Sequence, residues 1–120
     1  MNDYQKLFGT YNKEQFALVL ITALNVKDYE SKYNRICPEE KIEKFTRKIF
    51  LDFNIEQSGD SIKLFILATQ CFLASDKFDN FIKNNKQNFN KKDFRFTDKH
   101  AEQMGEIMNS EVQNFLKFIK

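Results

Sequence analysis

Ser58-Gly-Asp-Ser-Ile-Lys-Leu-Phe-Ile-Leu-Ala-Thr-Gln-Cys-Phe-Leu-Ala-Ser-Asp-Lys-Phe-Asp-Asn-Phe-Ile-Lys-Asn84 is the stretch that decides the fold. Between Ile62 and Ser75 the only charge is Lys63. Leu64, Leu67, Ala68, Cys71, Ala74, Phe78, Phe81 and Ile82 recur at three-and-four spacing, which is one stripe of a helix. Ile62, Phe65, Ile66, Phe72 and Leu73 form a second stripe beside it. A helix apolar on two faces is buried by neighbours on several sides. Ser58, Asp60 and Ser61 each carry a short side-chain oxygen able to cap the first turn. A strand over 61–70 is the competing reading, but the stripe runs on to Ile82, far past a usual strand. The uncharged run from Leu64 to Ser75 is too short to span a membrane, which takes ~20 apolar residues. The expectation is a single rod over 60–84, enclosed by the rest of the chain.

Working outward, Pro38 divides the chain upstream of this rod. Residues 13–36 form one helix, capped by Asn12 with Gln15 at the reciprocal position of a capping box. Phe16 to Val26 is nearly all apolar, then the pattern thins to Tyr29, Tyr33 and Ile36. Proline disfavours helical geometry in the residue before it, so the helix stops there. Pro38 in the first turn opens a helix over 38–53, with Glu39 and Glu40 at the positive end of its dipole. Ile42, Phe45, Ile49 and Phe53 are its buried stripe. Asn2 to Phe8 makes a short N-terminal helix stopped at Gly9.

Downstream, Lys83 to Phe96 is polar, basic, rich in Asn and without a period, hence a loop. Thr97 caps a last helix over 97–119, with Ala101, Met104, Met108, Val112, Phe115 and Ile119 on its inner face. The sum is an all-α, single-domain bundle of four main helices plus the short N-terminal one.

The 120 residues suit one domain over 1–120 with a core of its own. There are 19 Lys and Arg against 17 Asp and Glu, and a formal charge of +2. So small an excess gives no basic footprint over the whole surface. Two cysteines, Cys37 and Cys71, make no disulfide framework. Met1-Asn2-Asp3-Tyr4 lacks a basic leader before an apolar stretch. A reducing cytoplasm fits both observations.

The lone histidine, His100, excludes two-histidine zinc motifs and paired Glu-x-x-His di-iron sites. Three scattered glycines make no phosphate loop. Asp52-Phe-Asn54-Ile-Glu56 imitates the start of a calcium loop. It fails because Gln57 stands where glycine must turn, and Lys63 where a bidentate Glu closes the site. Neither cofactor nor metal is expected.

Arg95-Phe-Thr-Asp-Lys-His100 has the spacing Arg-x4-His. It resembles the short active-site motif of HEPN-type ribonucleases, an all-helical family of similar size. The resemblance covers two residues. It implies His100 as general acid or base and Arg95 as a phosphate clamp, with two protomers pairing their motifs over RNA. Imidazole titrates near neutrality and guanidinium binds phosphate in fork geometry, so the chemistry is consistent.

Lys83, Lys86, Lys91, Lys92, Arg95 and Lys99 alternate with Phe89, Phe94 and Phe96. Cations among aromatics bind single-stranded nucleic acid or dock an acidic protein. The competing reading has the phenylalanines pinning the loop while its lysines stay solvated. Tyr29 and Tyr33 sit where the long helix thins, as a packing edge or an interface anchor.

Three classes of function follow. The first is a non-catalytic cytoplasmic protein, an immunity protein or inhibitor, that occludes a toxin or enzyme partner. Its contacts would be Tyr29, Tyr33, Phe89, Lys91, Lys92, Phe94, Arg95 and Phe96. The second is the HEPN-like ribonuclease, and the third a nucleic-acid-binding module using the basic loop.

Overall fold

A computed structural model of the chain describes residues 12–55, 58–90 and 92–111. Among the described residues five α-helices follow one another: α1 (Lys13–Tyr33), α2 (Glu39–Asp52), α3 (Gly59–Leu73), α4 (Asp76–Asn84) and α5 (Asp98–Ser110). A short 3-10 turn, Lys86–Asn88, lies between α4 and α5. One isolated antiparallel bridge, Phe89 to Phe94, is the only strand-like pairing among the described residues. The protein is an all-α bundle, as its patterning predicts. The expected N-terminal helix lies outside the described residues. The last helix closes at Ser110 with Glu111 as its C-cap, short of the expected 119, and residues 112–119 lie outside the described residues.

The central rod is a correction. The stretch expected as one helix over 60–84 breaks at Ala74 and Ser75 into α3 and α4. Ser75 leaves helical geometry, with φ −96° and ψ 125°, and its hydroxyl accepts from the Phe78 N–H. It therefore starts a new helix by the capping chemistry of a short side-chain oxygen. Asp76 and Asp79 sit in the first turn of α4, where the dipole favours them. The bend keeps the aromatics continuous: the Phe72 and Phe78 rings meet across it at 4.9 Å, and Phe78 stacks on Phe81 at 6.1 Å.

The capping box on α1 forms as expected, with Asn12 and Gln15 exchanging bonds of 2.9 Å. Its far end differs from the expected 36. Asn34 turns left-handed at φ 50° and ψ 45°, so α1 stops at Tyr33 without help from Pro38. Pro38 is the N-cap of α2 and not its first helical residue; its carbonyl accepts from Lys41 and Ile42. At the other end of α2, Ile55 N–H bonds to Phe50 O and Asn54 N–H to Leu51 O. With Asn54 at φ 57°, this is a Schellman closure using asparagine in place of glycine.

Centrality is shared. α1 packs against α2, α3 and α5, while α3 packs against α1, α2 and α4. Leu20, Val19, Val26, Phe72, Phe78 and Met104 are fully enclosed. Burying each such side chain contributes roughly 1.5–3 kcal/mol relative to exposure, which makes this layer the main source of stability. Thr22, Thr46 and Thr69 are also fully buried, one on each of the first three helices. Each donates its hydroxyl 2.9 Å back to the carbonyl four residues earlier. No buried side-chain polar atom among the described residues lacks a partner.

Candidate partner-binding surface

The end of α1 and the start of α2 assemble an aromatic cluster capped by cations. Tyr29 and Tyr33, one turn apart on α1, bring their rings to 4.7 Å. Left-handed Asn34 reverses the chain, and Arg35 folds back over the helix it has just left. Its guanidinium lies 5.8 Å from the Tyr29 ring centre and 6.0 Å from that of Tyr33. Nη2 of Arg35 donates to the Tyr29 hydroxyl at 2.9 Å. From α2, Lys41 stands 5.9 Å over Tyr29 and 5.3 Å over Phe45. Lys32 stands 5.5 Å over Tyr33. Each contact draws on the negative face of the ring, worth ~0.5–1 kcal/mol at an exposed site.

Tyr29 and Phe45 are half-buried against the core, so the cluster is rooted. Tyr33 is 53% exposed, and Ile36 on the same connection is 85% exposed. The connection itself is held down: Cys37 N–H donates to Glu30 Oε2 at 2.9 Å, and the Cys37 side chain is buried. Burial and the nearby Glu30 carboxylate push the Cys37 thiol above its ordinary range. Tyr29 and Tyr33 were legible as interface candidates. Arg35, Lys41, Phe45 and Lys32 were not, although Arg35 next to an asparagine suited to a left-handed cap was the available signal.

The second expected group, the segment 83–99, is built differently from a plain loop. Arg95 N–H bonds to Asn88 O at 2.7 Å, and the Asn90 side chain accepts from the Lys92 and Asp93 N–H groups. This is the Asx turn that a short polar side chain makes on its own backbone. Phe89 is buried, packing on Phe81, Phe94, Phe96 and His100. Phe96 is half-buried, and Phe94 is 37% exposed. Phe89 thus anchors the segment and offers no face to solvent. Lys92 and Arg95 are exposed, and Arg95 pairs with Asp93 at 3.2 Å. Lys91 lies outside the described residues.

His100 is only 7% exposed. Its Nδ1 accepts from Thr97 N–H at 3.0 Å, and Thr97 Oγ1 accepts from His100 N–H, so histidine takes the place of Glu or Gln in a capping box. Because Nδ1 accepts, the ring proton resides on Nε2, which donates to Asn85 Oδ1 at 3.1 Å. Asn85 is oriented in turn by donating to Phe81 O. Burial first, and Lys99 second, hold the imidazole below its ordinary pKa. Both ring nitrogens are therefore committed within the chain, and Arg95 is not among their partners.

The structure does not bring the two expected groups together. Lys13, at the start of α1, pairs with Asp98 at the start of α5. From Lys13 to Tyr33 is about 30 Å of helix at 1.5 Å per residue. The segment leading into α5 therefore lies at the opposite end of the bundle from Tyr33. Between α4 and α5 lies an open groove of about 470 Å³, rimmed by Lys77, Asn80, Asn84, Gln103 and Glu106 over Phe81. Among the described residues, no three His, Cys, Asp or Glu side chains gather as they would around a metal ion. No described helix is long and apolar enough to cross a membrane. No protein-family model, no curated protein and no solved structure matches the chain.

Proposed function

We propose that the protein is non-catalytic and acts by stoichiometric binding of another protein, as an inhibitor or immunity protein that occludes a toxin or enzyme domain. The observation carrying this reading is the Tyr29–Tyr33 cluster under Arg35 and Lys41, half-buried at Tyr29 and exposed at Tyr33. Tyr and Arg side chains held in place before binding are the residue types that dominate interface energetics. They lose little freedom when a partner arrives, because core packing and the Arg35–Tyr29 hydrogen bond already restrict them. A cytoplasmic setting accords with two buried cysteines that are not joined in a disulfide.

The test compares the wild type with Tyr29→Ala and Tyr33→Ala. A partner retained from the native host is identified, purified and titrated by calorimetry. The expected result is a complex of defined stoichiometry, weakened by about 2 kcal/mol or more in each variant, as for a hot-spot residue. A complex indifferent to both substitutions overturns the reading. So does RNA cleavage by the wild type that His100→Ala abolishes.

A further inference from the structure

Resting on the protein-binding reading above, we infer that the partner meets this cluster with an acidic surface, its carboxylates on Lys32, Arg35 and Lys41 and an apolar side chain on Ile36 beside Tyr33. The first observation is charge. Among the described residues, none of the three cations has a carboxylate within ion-pair distance. By contrast, Lys27 is paired with Asp79 and Arg47 with Glu43. Three cations gathered over one group of rings, without an ion-pair partner among the described residues, favour an anionic counterpart and steer its approach.

The second observation separates a carboxylate-bearing protein from a nucleic acid. Sequence-tolerant nucleic-acid binding stacks bases on open aromatic faces along a basic track. Here Arg35 stands over both tyrosines, and Lys41 over Tyr29 and Phe45. A base would have to displace these cations from the faces they cover. Glu39 and Glu40 follow on the exposed start of α2. A continuous line of phosphates would be repelled there, whereas the spaced carboxylates of a folded protein need not be. Cation–π contact leaves the outward N–H groups of Arg35, Lys32 and Lys41 free to donate to carboxylate oxygens, and Arg does so in fork geometry.

The third observation is the apolar component. Among the described residues, Tyr33 and Ile36 are the exposed large hydrophobic side chains of this end of the bundle. An aliphatic residue of the partner seated on Ile36 beside Tyr33, ringed by charge pairs, gives the anchored centre and polar rim of a protein interface without displacing the cations over the rings.

The experiment follows amide chemical shifts of the full chain during titration with a short peptide alternating Glu and Leu. Oligouridylate and a peptide alternating Lys and Leu are titrated in parallel. The expected result is saturable shifts at Tyr29, Tyr33, Arg35 and Lys41 with the acidic peptide alone, declining as salt is raised. The combined variant Lys32→Glu, Arg35→Glu, Lys41→Glu, with helicity unchanged, should weaken this binding by about tenfold or more, since like charges set across an interface repel. Shifts at these residues that are stronger with oligouridylate, or absent with all probes, overturn the acidic-partner inference. Concentration-dependent shifts without any probe assign the face to a second copy and overturn it too. A calorimetric partner that still binds the charge-reversed variant but not Tyr33→Ala also sinks the acidic surface, while leaving protein binding intact.

Discussion

At the scale of single residues, His100 and the buried threonines show polar groups held by short-range bonds. His100 serves α5 only while neutral, because a protonated Nδ1 cannot accept from Thr97 N–H. Its folded-state pKa lies below the ordinary 6.5. The unfolded chain therefore binds the proton more readily, and stability rises with pH in that window. The contribution is whole above about 6.5 and is lost as pH falls through the lower folded-state value. The expected outcome is a lower urea midpoint at pH 5 than at pH 7.5. His100→Gln should flatten that component, since its side-chain oxygen can still accept from Thr97 N–H. An unchanged pH slope in the variant would remove His100 as the cause. The threonines give a second expectation. The Leu18 carbonyl that accepts from Thr22 is already bonded within α1, so removing the hydroxyl orphans nothing. Thr22→Val should shift stability by less than ~1 kcal/mol, while Thr22→Ser, which keeps the hydroxyl and loses a methyl, should cost more. The reverse order by urea titration would mean the hydroxyl bond carries the site. The burial of His100 was not legible beforehand, because a polar residue next to Lys99 in a first turn gives no sign that Phe81, Phe89 and Phe96 will close over it.

At the scale of elements, most helices announced themselves and the errors fell at their ends. Asn12, Ser58 and Thr97 were legible as caps because each precedes a change of pattern from polar to periodic. Ser75-Asp76 carries the same cap chemistry, yet Cys71, Ala74, Phe78 and Phe81 continue the stripe across it. A periodicity argument sees only the phase of apolar residues, and this bend preserves the phase. Ser75→Ala should cost ~0.5–2 kcal/mol, the usual loss for an N-cap, and far-ultraviolet dichroism should show helicity near wild type. A neutral substitution would mean that packing of Phe78 alone sets the bend. Asn34 was missed as a stop for a related reason; the second helix ends within a residue of the expected 53, but the left-handed geometry of Asn54 that closes it was not read. Glycine is the strong signal for a left-handed cap, and asparagine, able to adopt the same geometry, is common throughout this chain. At Asn54, φ is 57°. Asn54→Val should therefore lower stability by ~1–2 kcal/mol, and Asn54→Gly should not lower it. Equal midpoints for the two variants in urea would contradict the Schellman closure of α2.

At the scale of the whole molecule, the aromatic–cation cluster and the His100 segment sit at opposite ends of α1, joined through one continuous core. That separation explains why only part of the candidate surface was legible. Spacing along α1 pairs Tyr29 with Tyr33, but Lys41 and Phe45 arrive from α2, and only tertiary packing sets that approach. The same core contains Val26 and Leu20 of α1 together with Phe72 and Phe78 on either side of the α3–α4 bend, and Tyr29 and Phe45 pack against it. Phe78 is fully buried between Phe72 and Phe81, so Phe78→Ala leaves a cavity in the layer that all five helices share. Such a truncation costs ~3–5 kcal/mol, against a total of ~5–15 kcal/mol for an ordinary domain. Its effect should reach the far end of the bundle. The chain has no tryptophan and four tyrosines, so its intrinsic emission includes that of Tyr29 and Tyr33. If the bundle unfolds as one unit, tyrosine emission and helicity must fall together in urea. Phe78→Ala should then move both transitions to lower urea by the same amount. Helicity lost first, with the tyrosine transition left at its wild-type midpoint, would make the α1–α2 end a separate cooperative unit. The binding surface would then be rooted in α1 and α2 alone.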